Sequence, residues 1–178
     1  MKAYLVLILT VFCLSVFAQD KTNNSKLVKQ NHKKIYDASL DVEKQISEAV
    51  AKAKKENKHV LIQIGGNWCN SCIRMHKYFN TEKKVAETIG DNYVYIDVNY
   101  EPRNGTLAIF EKYKFPQRMA FPVIIILDQE GDLIHTQNTS LLEKRDEVTR
   151  KNGYNSLKVL RFLNNWTVKA LSPDTYKR

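Results

Sequence analysis

Trp68-Cys69-Asn70-Ser71-Cys72 directly follows the apolar run Val60-Leu61-Ile62-Gln63-Ile64 and precedes a helical-looking stretch from Ile73 to Phe79. That order, strand then cysteine pair then helix, narrows the possible folds more than any other feature of the chain. Two cysteines three apart on the first turn of a helix lie close enough to join by an unstrained disulfide. Helix N-terminal N–H groups are unpaired and stabilise anions, so a thiolate at Cys69 is favoured there. The thiolate is the reactive form of cysteine. A reversible dithiol/disulfide is the chemistry this arrangement serves.

The rest of the cysteine inventory agrees. Of three cysteines in 178 residues, Cys13 lies inside Met1 to Ala18, which reads as a secretory signal. Lys2 gives a basic start, Leu5 to Leu14 an apolar stretch, and Val16-Phe17-Ala18 a small-residue cleavage pattern. The apolar part is short for a span of ~20 residues, and bulky Phe12 argues against lipid attachment at Cys13. Removing the signal leaves Cys69 and Cys72. A pair so close in sequence closes no large loop, and stapling gains come mainly from longer loops. A redox role is therefore expected over a structural one. The formal net charge of +9 comes from scattered lysines and reads as solvated faces. No basic run is interleaved with aromatics, which sets nucleic acid aside as a partner. His32, His59 and His135 form no metal-ligand spacing with the cysteines, so no metal site is expected.

Hydrophobic periodicity supplies the elements around the motif. Asp41 to Asn57 is a helix with Leu40, Ile46, Ala49, Val50 and Ala53 on one face, capped by Ser39 or Asp41. His59 to Ile64 is a strand whose nearly unbroken apolar run suits burial on both faces. The helix after Cys69 runs to about Phe79, and Val85, Ala86 and Ile89 mark a short further helix. Tyr93 to Val98 is a second strand, and Glu101 to Gly105 a turn. Thr106 to Lys114 is a helix expected to bury Leu107, Ile109 and Phe110. Val123 to Leu127 is a strand joined through a turn at Asp128 to Asp132 to a partner strand, Leu133 to Gln137. The segment 138–153 is a surface loop or a short helix around Leu141 to Arg150. A last helix from about Asn155 to Leu171 presents Leu157, Leu160, Leu163 and Trp166. Helical crossovers make parallel pairs and a tight hairpin an antiparallel one. The expected α/β fold is a mixed central sheet with helices on both faces.

In this arrangement the chain resembles the thioredoxin superfamily. The strand Val60 to Ile64, the Trp68-Cys69-x-x-Cys72 motif, Phe121-Pro122 before Val123 to Leu127, and the hairpin at Asp128 to Asp132 carry the match. It is similar to exported thioredoxin-like domains with a Lys-x-Val-Leu-Ile strand, here beginning at Lys58, among them those of bacterial periplasmic disulfide reductant relays. The match covers about residues 40–171, and the chain is expected to divide into a signal peptide (1–18), a flexible N-terminal extension (19–38), a domain of thioredoxin-like fold (39–172) and a C-terminal tail (173–178). The resemblance implies that Cys69 is the attacking cysteine and Cys72 the buried resolving one. Pro122 takes the place of the family's cis-proline opposite the disulfide, and Phe121 presents backbone to a bound extended peptide. Trp68 packs beside the disulfide and shields one side. Trp68, Phe121 and Pro122 are thus the substrate-binding candidates.

Two positions depart from thioredoxin. Gln63 stands where thioredoxin carries a buried carboxylate that exchanges the resolving thiol's proton, and an amide cannot titrate. Water does that work instead, or exchange is slower. Asn70-Ser71 replaces Gly-Pro between the cysteines, a pair that helps to set thiolate stability and redox potential. His76, one turn after Cys72, reads as an exposed helix residue.

The expected function is that of an exported thiol–disulfide oxidoreductase of the periplasm, monomeric, exchanging with the thiols or disulfides of other exported proteins. A membrane electron-donor protein is a further expected partner. The Cys69–Cys72 disulfide itself holds the redox equivalents, so no separate cofactor is expected. The rival reading keeps the fold as a binding module, either a Cu(I)-handling protein using both thiolates or an adaptor.

Overall fold

The computed structural model describes residues 34–101, 106–145 and 152–177. The signal segment with Cys13, His32, the lead-in up to residue 33 and the turn residues 102–105 lie outside the described residues.

Helix α1 (Val42–Glu56) starts at Asp41, whose carboxylate accepts the Lys44 N–H at 2.9 Å, and ends at Asn57 in the left-handed region. Strand β1 (His59–Gly65) follows and is buried along its whole length. Then come α2 (Asn70–Thr81), α3 (Lys83–Asn92) and β2 (Tyr93–Asn99). Helix α4 (Thr106–Lys112) stops before Lys114 and Phe115, both with positive φ. A 3-10 turn at Pro116–Met119 leads to β3 (Val123–Leu127) and β4 (Leu133–Asn138).

The sheet order is β2-β1-β3-β4, with β1 parallel to β2 and antiparallel to β3, and β4 antiparallel to β3. Strand residues alternate between faces. Val60, Ile62, Ile64, Val98, Ile125 and Leu127 pack with Ile46, Ala49 and Ala53 of α1 and Phe110 of α4. Leu61, Tyr93, Ile124 and Ile126 pack with Met75 and Phe79 of α2, Val85 and Ile89 of α3, and residues of the C-terminal helix. The mixed sheet with helices on both faces is thus present as expected.

Five local readings need correction. In segment 138–153 the described residues 138–145 and 152–153 form neither the start of a helix at Leu141 nor a plain loop, and residues 146–151 lie outside the described residues. A 3-10 turn at Thr139–Leu142 precedes a small antiparallel pair, β5 (Glu143–Arg145) with β6 (Asn152–Tyr154). The last helix is two: α5 (Ser156–Asn165) and α6 (Val168–Leu171). They separate because the Thr167 side chain caps a new helix by accepting the Ala170 N–H at 3.0 Å. Leu157 is 77% exposed, since the buried stripe of α5 runs through Val159, Phe162 and Leu163. Leu107 and Leu40 are also exposed, Leu107 in the opening turn of α4 and Leu40 ahead of the start of α1. Among the described residues no helix is long and apolar enough to cross a membrane.

Candidate active site

Strand β1 ends at Gly65, and the chain turns through Gly66-Asn67-Trp68 into α2. Glycine is required at Gly65: a Cβ there would stand 2.5 Å from the Cys72 Sγ. Cys69 is the N-cap of α2, and its Sγ accepts the Cys72 N–H at 3.2 Å. The first sulfur therefore sits where the helix offers unpaired N–H groups. Cys69 and Cys72 are joined by a disulfide. Cys72 is fully buried and Cys69 8% exposed, so an approaching thiol meets the first sulfur.

The other expected site residues surround this pair. The Phe121–Pro122 peptide bond is cis. The Phe121 side chain packs against the cluster of Tyr36, Cys69 and Cys72, and its carbonyl accepts the Ser71 hydroxyl at 3.2 Å. The Ser71 oxygen also stands 3.3 Å from the Cys69 Sγ, so one hydroxyl links the proline loop to the reactive sulfur. The Pro122 carbonyl accepts from Thr139 Oγ1 at 2.6 Å. Trp68 is 61% exposed and meets Phe121 edge-on, with ring centroids 5.4 Å apart. It forms an apolar rim in solvent, in contrast to the shield expected beside the disulfide. Asn70 opens α2 and is exposed.

Behind the disulfide lies a buried polar cluster. Gln63 is fully buried. Its Nε2 donates to the Tyr36 hydroxyl and, at 3.1 Å, to the Cys72 carbonyl. The neighbouring strand contributes Asp97, paired in register with Gln63 and facing the same side of the sheet. Asp97 Oδ1 accepts from the Tyr95 hydroxyl at 2.8 Å and Oδ2 stands 2.7 Å from His76 Nδ1, while the Tyr36 hydroxyl acts on the carboxylate electrostatically. Burial pushes the Asp97 carboxyl above the ordinary carboxylate range, against the opposing pull of His76 and the tyrosine hydroxyls. Burial likewise pushes Tyr36 and Tyr95 up, so both stay neutral hydroxyls near neutral pH.

Sequence reasoning missed three of these residues and misjudged a fourth. Tyr36 belongs to the segment expected to be a flexible lead-in, yet it is fully buried. Asn67 holds it there: Oδ1 accepts the Ile35 and Tyr36 N–H groups at 3.1 and 3.2 Å, and Nδ2 donates to the Tyr36 carbonyl at 2.5 Å. The available signal was Ile35-Tyr36, an apolar pair inside a polar stretch. Asp97 was visible as a lone carboxylate within a strand otherwise rich in aromatic and β-branched residues. His76 is not a free surface residue, because it lies on the side of α2 that faces the sheet and its Nδ1 reaches the Asp97 carboxylate. Among the described residues no group of three or more His, Cys, Asp or Glu side chains is placed to hold a metal ion.

Comparison with known proteins gives the same outline. The model of a family described as thioredoxin-like matches residues 41–129. None of the curated proteins matches the chain in sequence. Among solved structures, the chain is similar to a disulphide isomerase from Xylella fastidiosa Temecula1, with 20% identity and a TM-score of 0.59 over 73% of this chain and 94% of that one. It is also similar to a thioredoxin from Thermus thermophilus, with 16% identity and a TM-score of 0.50 over 70% of this chain and 85% of that one. At these identities the likeness is one of fold.

Proposed function

The chain belongs to the thioredoxin-like family, and from that premise we propose that it is an exported thiol–disulfide oxidoreductase acting on other exported proteins. The observation that carries the reading is the disulfide itself: one sulfur at the helix N-terminus and near the surface, the other fully buried behind it. Reduced, Cys69 ionises at the helix start and attacks a substrate disulfide. A mixed disulfide forms between Cys69 and the substrate. Cys72 then attacks the Cys69 sulfur and releases the substrate as a thiol. Run backwards, the same steps oxidise a substrate dithiol. The two sulfurs carry the electrons. Trp68 and Phe121 offer an apolar rim for an extended substrate segment next to Cys69.

Export to the periplasm rests on the Met1 to Ala18 pattern. In that compartment a membrane electron-donor protein is the proposed source of reducing equivalents. The test is reduction of insulin by the protein in the presence of dithiothreitol, together with cysteine variants. Wild type should accelerate reduction and Cys69→Ser should abolish the acceleration. Cys72→Ser, expressed with its leader, should accumulate mixed disulfides with exported proteins through Cys69. An inactive wild type, or trapping by Cys69→Ser in place of Cys72→Ser, would overturn the reading.

A further inference from the structure

We propose that the Asp97 carboxylate accepts the proton of Cys72 during resolution of the mixed disulfide, reached through the Tyr36 hydroxyl. This rests on the oxidoreductase reading and adds the proton route that Gln63 cannot supply.

The geometry is specific. A Cβ built on Gly65 would stand 2.5 Å from the Cys72 Sγ and 3.0 Å from the Tyr36 hydroxyl oxygen, so both atoms flank one bare patch of backbone. Gln63 Nε2 donates to the Tyr36 oxygen and occupies one of its lone pairs. A tyrosine hydroxyl has one proton to give and can accept besides. With the amide donating to it, the Tyr36 hydroxyl can turn its proton toward the Asp97 carboxylate, on which it acts, and keep accepting capacity toward the sulfur side. Asn67 fixes the Tyr36 backbone from the loop that also delivers Cys69. The hydroxyl is thus held by the element that carries the chemistry. The groups facing Asp97 are His76 from α2, Tyr95 from its own strand and Tyr36 from the N-terminal segment; Tyr154 acts on Tyr36. Burial raises the carboxyl's proton affinity, which suits a group that must take up and release a proton.

The step balances as follows. The Cys72 sulfur attacks the Cys69 sulfur of the mixed disulfide. The Cys69–substrate S–S bond breaks, the Cys69–Cys72 bond forms, and the substrate sulfur leaves with the electron pair as a thiolate. The Cys72 proton passes to the Tyr36 oxygen while the Tyr36 proton passes to Asp97. The substrate is reduced and the protein dithiol oxidised. Asp97 touches neither sulfur; it acts through Tyr36.

The test mixes reduced protein with excess oxidised glutathione, quenches with acid, and follows the Cys69–glutathione adduct and the internal disulfide by mass spectrometry over a pH series. In Tyr36→Phe and Asp97→Asn, resolution should slow by roughly 100-fold or more near neutral pH, the scale of a positioned proton-transfer group. Adduct formation should keep its wild-type rate, and Asp97→Asn should lose the acid-side inflection of the resolution rate. Asp97→Glu should recover part of the rate. Wild-type resolution rates and pH profile in both variants would overturn the relay, as would equal slowing of both steps. A wild type that forms no adduct at all would overturn the oxidoreductase reading and the relay with it. A second measurement needs no variant: the carboxyl 13C titration of Asp97 in wild type should differ between the oxidised and reduced protein. Coincident titrations would sink the proposal.

Discussion

The two faces of the central sheet are built from the same strands and carry different duties. On the α1 side, Val60, Ile62 and Ile64 of β1 and Val123, Ile125 and Leu127 of β3 make a dry apolar layer. On the α2 side, Leu61, Ile124 and Ile126 begin a similar layer, but toward the disulfide β1 presents Gln63 and β2 presents Tyr95 and Asp97. Buried polar groups contribute less net stability than well-packed apolar side chains even when paired, and the loss of one partner strands the others. Their presence beside Cys72 is therefore explained by chemistry and not by stability. One face holds the fold together, and the other yields some of that stability to the site.

The sharpest way to break this comparison is Ile62→Ala. Ile62 is fully buried in the apolar layer, and truncation of such a side chain costs about 2–5 kcal/mol through lost transfer energy and a cavity. Denaturant unfolding should show that loss, while insulin reduction by the still-folded protein should proceed at nearly the wild-type rate. A large fall in exchange with unchanged stability would mean that the two faces are not separate in function.

The apolar face was also the more legible in the sequence. An unbroken run such as Val123 to Leu127 announces a strand buried on both sides, and the motif after β1 announces the strand–helix turn. The polar face was not legible, because its partners come from three distant places. Tyr36, Gln63 and Asp97 meet only once β1 and β2 pair in register and the N-terminal segment folds back over the loop. Periodicity reports which face a residue takes; it does not report which residue lies across from it. Gln63 read alone looks like a lost carboxylate, whereas in the structure it donates to a tyrosine hydroxyl and lies in register with Asp97 on the neighbouring strand. The break of the C-terminal helix at Thr167 was hidden for a similar reason, since a capping threonine within an apolar stripe looks like one more helical residue.

Gln63→Leu is next in expected size. It keeps side-chain volume while removing a buried amide that serves the Tyr36 hydroxyl and the Cys72 carbonyl. Buried groups left without partners cost about 1–3 kcal/mol. Thermal melts should therefore show a loss, smaller than that of Ile62→Ala. A gain in stability would mean that removing the amide strands neither the Tyr36 hydroxyl nor the Cys72 carbonyl, and would break the picture of an interdependent polar cluster on this face.

Asp97→Asn tests the same face through pH. Burial holds the folded Asp97 carboxyl above its value in the unfolded chain. Between those two values the folded state binds the proton more tightly, so stability falls as pH rises through the interval. Wild type should therefore lose stability relative to Asp97→Asn as pH is raised from below the ordinary carboxylate value. Denaturant midpoints for both proteins across the acidic range would show it. A constant difference between the two would remove Asp97 from the account.

The smallest effect, and the one that completes the comparison, lies at the opposite edge of the sheet. His135 on β4 stacks on Trp166 at 4.3 Å and stands 3.2 Å from Gln137 Oε1 through its Nε2. Burial lowers its pKa below the ordinary imidazole value, and the Gln137 contact opposes the shift only in part. The sign is therefore opposite to that of Asp97. Above the unfolded pKa of about 6.5 both states are neutral and the stacked ring contributes in full. As pH falls below it the unfolded chain takes up the proton first, and stability drains away until the depressed folded pKa is passed. His135→Gln keeps a polar side chain of similar reach and removes the titration. The melting temperature of wild type should fall relative to that of His135→Gln between about pH 7.5 and about pH 5, and only slightly, since the group is half-buried. The variant should leave insulin reduction unchanged, because His135 packs against Phe162 and Trp166 of the C-terminal region and not against the disulfide cluster. A change in the exchange rate would show that the polar side chains on this face act as one unit from edge to edge. Unchanged exchange with the expected pH slope would confine the chemistry to the β2 end.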